Sequence, residues 1–271
     1  MLNQRQEKLL DILIGQYIKN PEPVSSKALV RSGSFSLSSA TLRNEMNALE
    51  KAGYLMQLHT SGGRVPTGKA YRLYVDNLMA DPAIYVPEAT KKKIHKAITD
   101  AGNDPEELNK VVANIVSVLS DNIVVTNIKD SDYFYKTGLS SLFEFPEFRE
   151  VDRVFNIASV FDHFEKVFNQ IEDEFFGPVR GKTSFSMASA DVLGAHRTSN
   201  GMTGDDILIF IGNECPIKNI KEESVILVRY PLPNRKTGSM TIIGPMRMNY
   251  EKNIGLAKCV MNELKIKSKK I

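Results

Sequence analysis

Apolar residues recur at helical spacing through the first fifty positions and are punctuated by proline, glycine and serine. Leu9, Leu10, Leu13, Ile14, Tyr17 and Ile18 share one stripe between Gln4 and Lys19, which predicts a core-facing helix. Asn20-Pro21-Glu22-Pro23 ends it, because proline has no amide to donate and drives the preceding residue out of helical geometry. Ser25 is placed to cap a short helix, Ser26 to Arg31, with Ala28, Leu29 and Val30 inside. After the turn Ser32-Gly33-Ser34, Ser38 caps a third helix, Ser39 to Ala52, which Gly53 stops in the left-handed position. The period then changes. Tyr54 to Leu58 alternates as a short strand and Tyr71 to Val75 is rich in strand formers, so His59 to Thr67 between them reads as a hairpin tip.

On the third helix Leu42, Met46 and Leu49 face inward, leaving Ser39, Thr41, Arg43, Asn44 and Asn47 outward. Taken alone, that face reads most simply as the solvated side of a capped amphipathic helix. The hairpin changes the balance, because helix, turn, helix and β-wing in this order form a winged helix-turn-helix. The start of a recognition helix meets base edges, where Arg suits guanine and Asn suits adenine, while Ser and Thr serve phosphates or bases. In the wing, Gly62 and Gly63 let the backbone approach a phosphate or narrow groove, and Arg64 at the tip supplies charge. Thr60, Ser61 and Thr67 cluster with them, and Ser25, Lys27 and Ser38 complete the expected DNA-facing set. His59 reads equally as a wing-base hydrogen-bonding group or as a DNA contact.

Downstream the pattern differs. Asp81-Pro82 and Val86-Pro87 punctuate a hinge, so 81–105 reads as a linker with a charged helix from Glu88 to about Ala101. Residues 106–271 mix periods: a helix from Pro105 to Leu119, then strand candidates at Asn122–Lys129, Tyr133–Lys136, Asp206–Ile211, Ser224–Tyr230 and Ser239–Ile243. Further helices are expected at Val151–Phe175 and Asn249–Leu264, and the run Lys265 to Lys270 reads as a frayed, solvated end. Strands interleaved with helices predict an α+β second domain of sensor type, after a reader of residues 1–80.

Composition narrows the chemistry. The chain has 271 residues and two cysteines, Cys215 and Cys259, far apart and without metal-ligand spacing, so a reduced cytoplasmic protein without metal or cofactor is expected. No apolar run approaches the ~18 residues that span a bilayer, and no signal-peptide pattern is evident. The net charge of +3 is unevenly divided: residues 1–80 hold ten Lys/Arg against six acids. The positive excess sits where phosphate neutralisation would need it. His59, His95, His163 and His196 are scattered singly, so no catalytic constellation emerges. The one enzyme-like phrase is Gly177-Pro178-Val179-Arg180-Gly181-Lys182-Thr183, within a Gly/Ser-rich stretch, 177–204. A phosphate-binding loop needs one more residue between its glycines and a preceding strand, whereas Phe168 to Phe176 reads as an acidic helix. A non-enzymatic protein is the expectation.

The phrases PEPVSSKALV, SSATLRNEMNALEKAGYL, HTSGGRVPTGKAYRLYVD, GLSSLFEFPEF and IIGPMRMNYEKNI resemble the heat-inducible transcription repressor HrcA family. The resemblance covers residues 1–80 throughout and, more loosely, 138–165 and 205–265. It implies a repressor of heat-shock and chaperone operons that binds an inverted-repeat operator as a homodimer, with the chaperonin as a modulator of its active state. It implies a GAF-like fold for the second domain. Carried over by position, Ser39, Thr41, Arg43 and Asn44 lie on the recognition helix, and Thr60, Ser61, Gly63 and Arg64 on the wing. The family pattern also places a longer insert, including a dimerisation subdomain, where this chain has only residues 120–137. The alternative reading is a metabolite-sensing winged-helix regulator with its ligand in the second domain.

Overall fold

The computed structural model describes residues 2–59, 62–81, 84–165, 168, 206–215 and 220–269. Two compact units emerge: Met1–Pro82 with Met246–Met248, and Ala83–Pro245 with Asn249–Ile271.

The first unit opens with α1 (Gln4–Lys19), whose Asn3 cap accepts the Gln6 amide while the Gln6 side chain returns the bond. Leu9, Leu10, Leu13 and Ile14 are buried on its inner stripe. Then come α2 (Ser26–Arg31) and α3 (Ser39–Lys51), capped by Ser25 and Ser38, whose hydroxyls accept from the Ala28 and Thr41 amides. A two-stranded antiparallel sheet follows, β1 (Leu55–Gln57) with β2 (Arg64–Pro66), in the register Leu55 to Pro66 and Gln57 to Arg64. The chain then departs from the sequence-based expectation. Tyr71–Val75 is not a return strand but part of α4 (Gly68–Ala80). Thr67 caps that helix, and Ala70, Tyr71 and Val75 are buried at i, i+1 and i+5, a helical face. A good cap and a helical apolar face outweigh the strand preference of Tyr and Val, which is weak and context-dependent.

The second unit is built on one antiparallel sheet of order β4-β3-β7-β6-β5: β3 (Ile123–Ile128), β4 (Phe134–Thr137), β5 (Ile207–Ile211), β6 (Glu223–Pro231) and β7 (Thr237–Pro245). Both faces are covered, so its strands read as apolar runs rather than clean alternation. On one face Ile123, Val125, Val225, Leu227 and Ile243 form a core with Leu142, Phe148, Ile157 and Phe164. Ile157 comes from α7 (Val151–Asp162). Residues of opposite parity point to the other face, where α6 (Pro105–Ser120) and α8 (Tyr250–Lys269) lie. There the Thr126 hydroxyl donates to the Asn109 carbonyl of α6 at 3.1 Å, and Ser224 shares a 2.6 Å hydrogen bond with Tyr250 of α8.

Three boundaries differ from expectation. The segment read as a hinge, 81–105, belongs largely to the second unit: α5 (Glu88–Asp100) buries Ile94 and Ile98, and the Lys267 ammonium of α8 donates to the Ile98 carbonyl at 2.7 Å. The lysine-rich end is therefore not a frayed tail, since α8 runs to Lys269 and Lys265 also meets Asp206 at 3.5 Å. Partial burial lowers the Lys267 pKa from its ordinary value. The helix expected over Val151–Phe175 reaches a cap at His163 after Asp162. The stretch 177–204, including the loop at Gly177–Thr183, lies outside the described residues.

Candidate nucleic-acid interface

Other elements hold α3 near its start and at its middle. Near its start, Ser39 shares a 2.9 Å hydroxyl hydrogen bond with Ser26 of α2, a residue that sequence reasoning passed over and that is buried. Further along, Glu45 takes a hydrogen bond from Gln6 of α1 at 3.1 Å and an ionic contact from Arg5 at 3.4 Å. With Leu42, Met46 and Leu49 buried, Arg43 and Asn44 are turned out and exposed. Neither makes a side-chain hydrogen bond or ion pair among the described residues. Lys27 on α2 is likewise exposed. Thr41 is half-buried, and its hydroxyl is engaged with Ser38 Oγ at 2.9 Å. That cap has a measurable value: Ser38→Ala is expected to cost about 1 kcal/mol. The check is faster amide exchange at Thr41, whose N–H donates to Ser38 Oγ at 3.1 Å.

The wing differs more from expectation. Arg64 is not at the tip but in β2, paired across from Gln57. Its side chain is 13% exposed and turned onto α3. Nη2 donates to Asn47 Oδ1 at 2.7 Å, and Nε lies 2.8 Å from a Glu50 carboxylate oxygen. The Nε N–H finds no hydrogen-bond acceptor, so the Glu50 contact is ionic rather than a directed bond. Asn47 therefore spends its carbonyl on the wing. Glu50 was not foreseen, because its partner is set by the fold rather than by spacing on the helix.

Gly63 serves the protein's own backbone. A Cβ there would run into the Pro23 carbonyl oxygen and approach the Val24 carbonyl carbon to 2.6 Å. The reason is an antiparallel bridge beside it: Val24 N–H donates to Arg64 at 2.9 Å and Arg64 N–H to Val24 at 2.8 Å. Gly62 closes the tip, donating its N–H to the His59 carbonyl at 2.9 Å and accepting from Gln57 Nε2 at 3.3 Å. His59 itself is exposed. Thr67 belongs to the wing's base, where its hydroxyl donates to the carbonyls of Gly53 at 2.8 Å and Tyr54 at 3.1 Å. Nearby, Lys69 donates to the Ala52 carbonyl at 2.8 Å and sits 4.4 Å from the Tyr54 ring centre. Thr60 and Ser61 lie outside the described residues.

Of the residues expected to face DNA, Arg43, Asn44, Lys27, Ser25 and His59 are thus exposed. Arg64, Asn47, Gly63 and Thr67 are instead engaged within the unit. On α1, burial, and then the neighbouring Glu7, raises the pKa of Asp11 above its ordinary value. Among the described residues no group of His, Cys, Asp or Glu is placed to hold a metal ion. No described helix is long and apolar enough to cross a membrane.

Relatives align with this chain over nearly their whole length. The heat-inducible transcription repressor HrcA of Clostridium acetobutylicum is 26% identical, with 97% of this chain and 96% of that protein aligned. Its counterpart in Acetivibrio thermocellus is 28% identical over 97% and 95%. The first alignment runs over 361 positions, 90 more than this chain has residues, so the relative carries at least that much internal sequence without a counterpart here. A crystal structure of a hypothetical protein superposes with a TM-score of 0.74 at 18% identity, covering 100% of this chain and 99% of that one, and shows the shared fold. Residues 85–254 match the family described as HrcA protein C terminal domain. With most of its length inside that match, the chain belongs to the HrcA family.

Proposed function

We propose that this protein represses transcription by binding duplex DNA through its N-terminal unit, as a winged helix-turn-helix. The observation that carries the reading is the outer face of α3, where Arg43 and Asn44 are exposed without side-chain partners among the described residues, on a helix held near its start and at its middle. Arginine and asparagine can each make a bidentate pair with a base edge. The relatives are heat-inducible transcription repressors, and the proposed targets of this protein are accordingly heat-shock and chaperone operons. An inverted-repeat operator calls for a two-fold dimer, with half-sites about one helical turn apart. The second unit, read as GAF-like, would set that spacing, and the chaperonin would act as modulator of the active state.

Binding of this kind releases counterions, so the affinity should fall steeply with salt, the logarithmic slope being about −0.9 per phosphate neutralised. Fluorescence anisotropy with a labelled duplex from upstream of the source genome's chaperone genes, titrated from low to high salt, measures it. A slope near zero would sink the reading. A metabolite-sensing role has one observation behind it: a cavity of about 320 Å³ within the second unit, lined in part by Tyr85, Pro87, Leu119 and Leu256. Calorimetric titration with nucleotides and common metabolites separates the two readings.

A further inference from the structure

We infer that Arg64 is a positioning residue, which locks the wing to the reading helix through Glu50 and Asn47 and does not itself hold DNA. The inference rests on the DNA-binding reading above and goes beyond it by assigning which charge does what. An arginine beside two glycines in a wing is the natural candidate for a phosphate contact, yet this one is turned inward. Its guanidinium spans from β2 to α3, bonded to Asn47 at 2.7 Å and lying 2.8 Å from Glu50. Only 13% of its side chain is exposed, against 33% for Glu50. A group so covered has little surface left for a phosphate, and the carboxylate beside it already neutralises its charge.

The backbone of the same residue is tied the other way. Arg64 N–H and carbonyl pair with Val24, in the segment leading into α2, while Gly63 lies against Pro23 and Val24 without room for a side chain. Residue 64 thus joins three pieces: the wing, the reading helix, and the lead into α2. The wing's angle to α3 is set there. Contacts to DNA are left to the exposed Arg43, Asn44, Lys27 and His59.

The sign of one substitution separates positioning from contact. If Arg64 gripped a phosphate, Glu50 would compete for it, and Glu50→Gln would free the cation and remove a repelling charge, so binding would tighten. If Arg64 positions the wing, Glu50→Gln removes the ionic half of the latch, and binding weakens despite the lost negative charge. The full-length protein is titrated by anisotropy with the labelled upstream duplex at fixed salt, as parent, Glu50→Gln, Arg64→Met and the double variant. Expected are three- to tenfold weaker binding for each single variant and no further loss in the double, because both remove one latch. Amide exchange at Met56 and Val65, in the wing strands, should quicken in both.

Tighter or unchanged binding by Glu50→Gln, or additive losses, would overturn the proposal. Should Arg64→Met fail to fold, the nearly isosteric Glu50→Gln still gives the deciding sign. If the parent binds no duplex, the DNA reading fails, while exchange at Met56 and Val65 still tests the latch: unchanged rates in Glu50→Gln would overturn it.

Discussion

Replacing Gly63 by alanine is expected to destabilise the N-terminal unit by about 3 kcal/mol, the upper range for forcing atoms into a packed site. The added methyl meets the Pro23 carbonyl oxygen and the Val24 carbonyl carbon, which are backbone and cannot rotate aside. Relief requires the wing to lift from Val24, which breaks both hydrogen bonds of the bridge to Arg64. Amide exchange at Val24 and Arg64 reads this directly, and both should lose most of their protection. Gly62→Ala is the control. Its methyl would meet the His59 carbonyl oxygen at 3.2 Å, a crowding that a small shift in the tip relieves. Equal effects from the two alanines would mean that the packing against Pro23 is not what makes Gly63 necessary.

The second large effect concerns recognition. Arg43→Ala and Asn44→Ala should each cost roughly 1–3 kcal/mol of operator binding, the worth of a good bidentate base contact. Together they should lower the affinity about thirtyfold or more. Folding should be nearly untouched, because both side chains are exposed and make no bond among the described residues. Anisotropy against the cognate duplex and a scrambled one separates the roles. Losing a base contact erodes the preference for the cognate sequence, whereas losing a phosphate contact weakens both about equally. If neither variant changed the affinity or the preference, this face of α3 would not be the reader.

The two outcomes differ because one residue acts through the protein and the other through the DNA, and sequence alone distinguishes them poorly. Features set within a few residues were legible. Both α1 and α2 begin and end where proline, serine and the apolar stripe predict, Gln4–Lys19 and Ser26–Arg31, because caps and breakers act locally. The inward set Leu42, Met46 and Leu49 followed from helical period for the same reason. The order of strands in the sheet could not be read that way, since pairing such as Ile123 with Ile243 joins distant segments.

The errors share that cause. Arg64 looked like a tip residue because Gly62 and Gly63 adjoin it, but the register of Leu55 with Pro66 places it in the strand. Its partners Glu50 and Asn47 come from another element. Tyr71 and Val75 looked like strand residues by type, although the Thr67 cap and the burial of Ala70 beside Tyr71 make them one helical face. Lys265 and Lys267 looked like a solvated tail, yet they reach Asp206 and the Ile98 carbonyl, partners that only the folded unit brings near.

The shortening of the chain bears on how two readers are paired. The Clostridium acetobutylicum relative carries at least 90 internal residues without a counterpart here, and the family resemblance of the sequence implies that the reduced segment is 120–137. In the structure that stretch is filled by β3, a tight turn and β4, both in the main sheet. A dimer of this protein would therefore use a surface other than an insert at that point. The prediction is two-fold protection of DNA despite the shorter chain.

Nuclease protection across the region upstream of the source genome's chaperone genes tests the central claim most directly. The parent protein should protect an inverted repeat, both half-sites together, and the Arg43→Ala, Asn44→Ala double variant should leave it open at the same concentration. Uniform cleavage with the parent protein, or equal protection by the double variant, would contradict the assignment of α3 as the helix that reads DNA.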